Sequence, residues 1–225
     1  MKRKIITTAD GSKTIQIEDW HEQYHSVHGA IQEANHVYIE QGLLFFMAEN
    51  QPEQHREISI LEIGFGTGLN ALLTFLKITS LNQLINYVGV EAYPVSQEEW
   101  QKLNYVSELH LKPELFDSLH TCEWEQKNAI SERFHLTKQQ KLFKDISEAN
   151  AFDVIYYDAF GARVQPELWT KANFEQMYNA LRPNGVLTTY AAIGSVRRAL
   201  LEIGFEVDRL QGPPGKRHML RAIKR

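Results

Sequence analysis

A chain of 225 residues, 43% hydrophobic and with Cys122 as its one cysteine, can build one core but no internal disulfide and no cysteine-based zinc site. No apolar run approaches the ~18 residues of a membrane span, and Thr7, Thr8 and Asp10 stand where a secretory leader would be apolar, so a cytoplasmic protein without membrane attachment is expected. The net charge of −4 argues against a nucleic-acid binder only on average: residues 197–225 hold eight Lys and Arg against three acids, leaving sixteen against twenty-five elsewhere. Such a tail offers one face to an anion while the body repels it, or is a solvated edge; charge alone does not choose.

In chain order, "KIITTADGSKTIQI" predicts two short strands around a turn at Asp10-Gly11, and residues 28–50 read as helical. Residues 1–56 form an N-terminal extension expected to pack on a core domain of 57–225. From there strand candidates alternate with amphipathic or mixed stretches. The strands are Ile58–Ile63, Tyr87–Glu91, Arg133–Thr137, Phe152–Asp158, Gly185–Tyr190, Phe205–Leu210 and His218–Ile223; the helical stretches are 69–80, 94–104, 170–182 and 194–203. The alternation predicts an α/β fold with a mainly parallel sheet and helices on both faces. "QGPPGKR" is too short for a helical crossover, so the last two strands should be antiparallel neighbours. A mostly parallel sheet ending in an antiparallel hairpin resembles the Rossmann-like fold of class I S-adenosylmethionine-dependent methyltransferases.

The chemistry-bearing residues cluster at strand ends. Gly64, Gly66 and Gly68 follow the first core strand and precede a helical stretch, so a ligand can approach bare backbone there. A nicotinamide or flavin fingerprint would be G-x-G-x-x-G, whereas here the third glycine comes one place early and Leu69 sits where that pattern wants glycine. G-x-G-x-G with Glu62 before it better suits the amino-acid end of S-adenosylmethionine; the other reading is a bare strand-to-helix turn. Glu91, 23 residues past Gly68, ends the next strand, where an acid can accept hydrogen bonds from both hydroxyls of a ribose. Asp145 lies in a loop before the fourth strand, as an adenine-side acid or as a helix N-cap with Glu148 completing a capping box. Asp158 ends that fourth strand and should enter the same crevice as the glycine loop.

"LEIGFGTGLN", "VEAYP", "KDISEA", "YYDAFGARVQPELW", "TYAAIGSVRRALLEIGF" and "GPPGKRHML" occur in the order and spacing of one family. They resemble the methyltransferase half of the bacterial tRNA 5-methylaminomethyl-2-thiouridine biosynthesis enzyme MnmC, or its single-domain form MnmD; "YHSVHGAIQEANHVYIEQG" resembles that family's N-terminal region. The resemblance covers roughly residues 20–223. It implies transfer of a methyl group from S-adenosylmethionine to the primary amine of 5-aminomethyl-(2-thio)uridine at the tRNA wobble position. It implies Gly64, Phe65, Gly66, Thr67 and Gly68 as the cofactor loop, with Glu62 and Asn70 beside it. Glu91 and Ala92 fall at the ribose, Asp145 and Ile146 at the adenine, and Asp158 is the catalytic aspartate, also in the cofactor site. Partners would be the tRNA anticodon region and a separate FAD-dependent oxidase acting upstream, since the chain has no room for the family's oxidase half. After "DAF" the family usually has Ala-Pro and a nearby lysine, where this chain has Gly161, Ala162, Arg163 and Val164, and His218 stands where the family has glutamate.

Arg163, Lys216 and Arg217 are candidate tRNA phosphate contacts, and Tyr190 a candidate pocket wall or stacking platform. His21, His25 and His28 could share a helix face, but no acid pattern completes a metal site and none is expected. Trp100, Trp124 and Trp169 are assigned to packing. The competing functions are a class I methyltransferase for a small-molecule or protein amine, and a non-catalytic tRNA-binding module of the same fold.

Overall fold

In the computed structural model, which describes residues 2–53 and 55–225, Arg3–Thr7 (β1) and Lys13–Ile17 (β2) pair antiparallel, and Glu22–Gln23 (β3) adds to β2. Asp10 fixes their turn by accepting from Thr8 Oγ1 at 2.7 Å and Ser12 N at 3.1 Å. A helical rod over 30–50 follows, made of Ala30–Ala34 (α1), a π-helical stretch Asn35–Leu44, and Phe45–Asn50 (α2). The wider π coil, with its i to i+5 pairing, leaves no mark in apolar spacing, so the sequence predicted only "helix" here. Gly42 brings the rod close to the sheet: a Cβ there would lie 3.1 Å from Thr188 Oγ1 and 3.3 Å from Tyr156 Cε1.

The core chain then runs Ile58–Ile63 (β4), Leu69–Leu81 (α3), Ile85–Val90 (β5), Gln97–Trp100 (α4), Tyr105–Glu108 (α5), Pro113–Thr121 (α6), Lys127–Ser131 (β6) and Phe134–Gln139 (β7). It continues through Phe152–Tyr157 (β8), Lys171–Ala180 (α7), Leu181–Thr189 (β9), Gly194–Ile203 (α8), Glu206–Gln211 (β10) and His218–Ile223 (β11). The sheet order is β10-β11-β9-β8-β4-β5-β7-β6. Strands β9, β8, β4, β5 and β7 are parallel; β11 runs antiparallel to β9, β10 to β11, and β6 to β7. β4 and β8 are buried at every residue, so they read as mostly apolar stretches, with Ser59, Glu62 and Asp153 the exceptions, rather than as alternating ones.

Three expectations change. β6 was not foreseen, because "KNAIS" is half-polar and its edge position leaves none of it fully buried. The helix expected over 94–104 is only Gln97–Trp100, started by a Ser96/Glu99 capping box and followed by the separate α5. The stretch 21–28 is not helical: His21 has a left-handed backbone (φ 48°) before β3.

Each sheet face buries its own cluster. The rod, α3 and α6 cover one, with Val37, Tyr38, Leu72, Tyr87, Phe134 and Tyr156; α7 and α8 cover the other, with Tyr157, Trp169, Phe174, Val196 and Leu200. Fully burying one such Leu, Val or Phe contributes about 1.5–3 kcal/mol. Residues of β2 and the rod, Ile15, Val37 and Leu43, share a cluster with Ile60 of β4. No helix among the described residues is long and apolar enough to cross a membrane. After β4 the chain proceeds to β5 on one side, while β8 lies on the other, so the strand order reverses between β4 and β8 and opens a crevice at their carboxyl ends.

Candidate active site

Both strands flanking that crevice end in a residue set the sequence singled out. After β4, Gly64, Gly66 and Gly68 have φ of +91°, +49° and +72°, a region costly for any side-chain-bearing residue. The loop lies against the chain leaving β8: a Cβ on Gly64 would meet the Asp158 carbonyl oxygen at 2.7 Å. Phe65 turns inward and fills the space over Gly89, whose own Cβ would sit 2.4 Å from its ring. The Thr67 side chain also turns inward, accepting from Tyr105 OH at 3.2 Å. Neither residue lines the main cavity.

A cavity of about 610 Å³ fills the crevice, and Gly64, Gly66, Glu91, Ala92, Asp158, Tyr190 and Lys216 all line it. Glu91 accepts from Gly66 N at 3.0 Å and Tyr93 N at 2.9 Å. Burial pushes its carboxyl above the usual range against those bonds. Asp145 is exposed and does not line the cavity, although Leu142, Phe143 and Lys144 just before it do; Ile146 is buried in the cluster under α7 and α8. No helix begins at Asp145, and Glu148 pairs with Lys141 at 3.1 Å, so the capping alternative has nothing to cap.

Asp158 is held on both oxygens. Tyr38 OH donates to Oδ1 at 2.6 Å and Asn70 Nδ2 to Oδ2 at 2.9 Å. The other hydrogen of the Asn70 amide goes to Glu62 Oε1 at 2.9 Å, and Tyr87 OH donates to Glu62 Oε2 at 2.8 Å. Burial pushes Asp158 up to about 7, with Glu33 adding to the rise and Tyr38, Asn70 and Lys216 opposing it. Burial raises Glu62 well above the ordinary range despite its two donors. Beneath the main cavity a gap of about 20 Å³ is lined by Glu62, Gly64, Thr67, Asn70 and Asp158. Among the described residues, Asn70 Oδ1 is buried with no hydrogen-bond partner. An unpartnered buried acceptor beside a side-chain-free loop fits a ligand that brings an ammonium donor.

The basic candidates separate. Arg163 donates to Trp20 O at 3.0 Å and Glu22 Oε2 at 2.9 Å, tying the loop after β8 to the N-terminal segment, while its side chain stays largely exposed. Lys216 lies inside the cavity, paired with Glu33 and 3.8 Å above the Tyr190 ring, while Arg217 next to it is exposed. Tyr190 OH donates to Ala159 O at 2.8 Å and Trp169 Nε1 to Phe160 O at 2.7 Å, fixing the backbone just after Asp158. Trp100 stacks on His120 at 4.7 Å, and Trp124 lies under Lys138 Nζ at 4.9 Å. His25 is buried against Thr14 Oγ1 at 2.9 Å, and burial lowers it to about 4. Among the described residues no three His, Cys, Asp or Glu are grouped to hold a metal. His218 pairs with Gln211 in the β10–β11 ladder.

Tyr38 and Glu33 were missed by sequence reasoning. Tyr38 is 120 residues from Asp158 and sits in an apolar helical stretch where a core tyrosine looks the same. Tyr38→Phe should lower kcat about tenfold, the scale of one hydrogen bond to a charged group, with KM little changed. The acid limb of its rate profile should move to higher pH, since the lost bond lowers the Asp158 pKa; steady-state kinetics across pH would reveal an unmoved limb and remove Tyr38 from this role.

A reversed-order parallel sheet that ends in the antiparallel β11 and β10, with a G-x-G-x-G loop after its first central strand and an acid at the tip of the next, is the architecture of a class I methyltransferase. A family model described as S-adenosyl-L-methionine-dependent methyltransferase matches residues 98–225, and the chain belongs to that family. It is 30% identical over 210 residues to the tRNA 5-methylaminomethyl-2-thiouridine biosynthesis bifunctional protein MnmC of Nitrosospira multiformis, covering 88% of this chain and 33% of that protein. The same-named protein of Idiomarina loihiensis is also 30% identical over 210 residues, with 34% of its length covered. The chain thus spans about a third of the length of these curated relatives. The crystal structure of MNMC2 from Aquifex aeolicus superposes with a TM-score of 0.77 at 27% identity, covering 98% of this chain and 69% of that one. A probable spermidine synthase from Corynebacterium glutamicum, at 15% identity and a TM-score of 0.55, shares the fold.

Proposed function

We propose that the cavity transfers a methyl group to the primary amine of 5-aminomethyl-(2-thio)uridine at the wobble position of tRNA, giving 5-methylaminomethyl-(2-thio)uridine. The observation that carries this reading is Asp158, half-buried at the cavity wall beside the bare glycine loop with one lone pair of each oxygen fixed by Tyr38 and Asn70. MnmC relatives named for tRNA 5-methylaminomethyl-2-thiouridine biosynthesis support the choice of acceptor.

Bound S-adenosylmethionine supplies an electrophilic methyl carbon on a sulfonium. The chain's residues do the rest. Gly64 and Gly66, with Asn70 Oδ1, would receive the amino-acid end of the donor, while Gly68 turns the loop against His120 and Phe65; Glu91, with Ala92 beside it, would take the ribose, and the Leu142–Lys144 turn the adenine side. Asp145, at the end of that turn, is exposed and would reach adenine only by moving inward.

An amine like that of lysine, with a pKa of about 10.4, is mostly protonated near neutrality and must lose a proton before attack. A carboxylate next to it favours the ammonium, which opposes that loss, yet it also stabilises the charge that develops on nitrogen as the new bond forms. Only the second effect lowers the barrier from the neutral-amine complex. Asp158, with its pKa raised to about 7, orients the amine, relays the proton it loses to solvent before methyl transfer, and as the carboxylate stabilises the emerging ammonium.

A wobble base enters such a cavity only when unstacked from the anticodon loop. Phe160 and Tyr24 meet edge to face at 4.8 Å on the wall, and Tyr190 presents a further ring. Exposed Arg197, Arg198 and Arg217 supply positive charge for tRNA phosphates. The substrate amine would come from a separate FAD-dependent oxidase that trims a 5-carboxymethylaminomethyl precursor. Incubation with labelled S-adenosylmethionine and undermodified bulk tRNA, then digestion, should place the label in 5-methylaminomethyl-(2-thio)uridine. Label confined to a small amine or a protein would replace this reading with the competing methyltransferase one; binding of tRNA without any transfer would leave only a binding module.

A further inference from the structure

Glu33 and Lys216 form an ion pair on the cavity wall that the cradle for the methyl donor does not need. Glu33 comes from α1 and Lys216 from the turn between β10 and β11, 183 residues later. The Glu33 side chain is 7% exposed, and its oxygens are divided, Oε1 accepting from Lys216 Nζ and Oε2 from Ser26 N at 2.7 Å. The same ammonium rests 3.8 Å above the Tyr190 ring, whose hydroxyl is bonded to the carbonyl of Ala159, next to Asp158. The turn is fixed by Gly212 N donating to Arg217 O and Lys216 N to Pro213 O, and Gly215 (φ +82°) packs on His28. A buried carboxylate is thus neutralised at contact distance by a cation that a rigid turn delivers into the pocket.

We propose that the Glu33–Lys216 pair is a charge-balancing wall that makes this pocket receive its acceptor as a neutral primary amine. The proposal rests on the amine-acceptor reading above. Two uncompensated carboxylates facing one basic amine would hold it as an ammonium, whose nitrogen has no lone pair for attack. Lys216 cancels the charge of Glu33 as Arg163 pairs with Glu22, and leaves Asp158 as a carboxylate without a contact cation beside the acceptor.

The surroundings of Asp158 support this. The rod presents Tyr38 and Glu33, β4 presents Glu62, α3 presents Asn70, the chain after β9 presents Tyr190 and the hairpin turn presents Lys216. His25, lowered to about 4 by burial, feels the charges of Glu33, Lys216 and Asp10, and His28 packs against the turn. Of the two partners, Glu33 raises the pKa of Asp158 and Lys216 lowers it.

The test uses Lys216→Met, Glu33→Gln and the double variant, read in two ways. Carboxyl ¹³C NMR of aspartate-labelled free protein, with Asp158 assigned from Asp158→Asn, gives its titration midpoint without any turnover. The pH profile of kcat/KM with amine-bearing tRNA gives the acid limb. Lys216→Met should move both upward by about half a unit to one unit, Glu33→Gln should move both downward, and the double variant should return them close to the starting values. A pair that only braces the fold would give losses of one sign with no restoration in the double variant, and that result overturns the proposal. Should Lys216→Met not fold, the double variant, which leaves no buried charge unpaired, carries the comparison together with Lys216→Arg, which should keep both midpoints. Opposite NMR shifts with an unmoved rate profile would overturn the proposal while leaving amine methylation standing. Absence of amine methylation by the unaltered protein would instead overturn the reading beneath it.

Discussion

Asp158→Ala lowers kcat by about 10²-fold or more at saturating acceptor, within the range for one preorganised electrostatic group. Asp158→Asn falls nearly as far: it keeps the shape, but it has one acceptor oxygen where Tyr38 and Asn70 each address one, and it carries no charge to meet the developing ammonium. S-adenosylmethionine binding should survive in Asp158→Asn, since the loop contact at Gly64 involves the Asp158 main-chain carbonyl. The pH dependence has a definite sign. With the folded pKa near 7, the rate should fall as pH drops through that value and the carboxylate is protonated. In Asp158→Asn that step should vanish and leave only the limb of the amine.

Stability runs the opposite way. A carboxyl raised from its ordinary 3.8 to about 7 in the folded state stabilises the fold below the ordinary value and loses that contribution as pH rises through 7. At pH 8 Asp158→Asn should therefore melt at or above the unaltered protein. Near-normal turnover with saturating tRNA, or a sharply lowered melting temperature at pH 8, would remove Asp158 from this role.

The parts legible in the sequence were those where local chemistry dictates local shape. β4 and β8 announced themselves as largely apolar runs, broken only by Ser59, Glu62 and Asp153, because both faces are buried, and the three glycines marked positive φ because little else tolerates it. The hairpin of β10 and β11 followed from a linker too short for anything else. What stayed hidden depends on distant approach. Tyr38 and Glu33 belong to the site only because the rod over 30–50 lies across the sheet at Gly42. Lys216 read as a free cation for phosphate because nothing nearby in the chain pairs with it; its partner is on α1. The acceptors of Arg163 were hidden in the same way, since they lie at Trp20 and Glu22. β6 escaped because an edge strand need not be apolar.

Gly64→Ala should be the most damaging single-atom-group addition at the site, and geometry gives the reason twice. At φ +91° a Cβ is strained whatever the available space, a cost of roughly 1–2 kcal/mol. The added carbon would also stand 2.7 Å from the Asp158 carbonyl oxygen, a backbone atom that no rotamer change can withdraw. Either the loop or the end of β8 must shift, and both hold the site. The expected results are a fall in apo melting temperature of about 4 °C or more, at ~2–4 °C per kcal/mol for a chain of this size, and at least about tenfold weaker S-adenosylmethionine binding. Gly161→Ala is the matched control. Its Cβ would find nothing closer than Tyr190 OH at 3.7 Å, an ordinary contact, so both readouts should stay near those of the unaltered protein. Thermal shift with and without S-adenosylmethionine measures both quantities at once. A Gly64→Ala protein that melts and binds like Gly161→Ala would mean that the close approach of loop and β8 is not what shapes the donor site, and the placement of Asp158 opposite the donor would lose its structural basis.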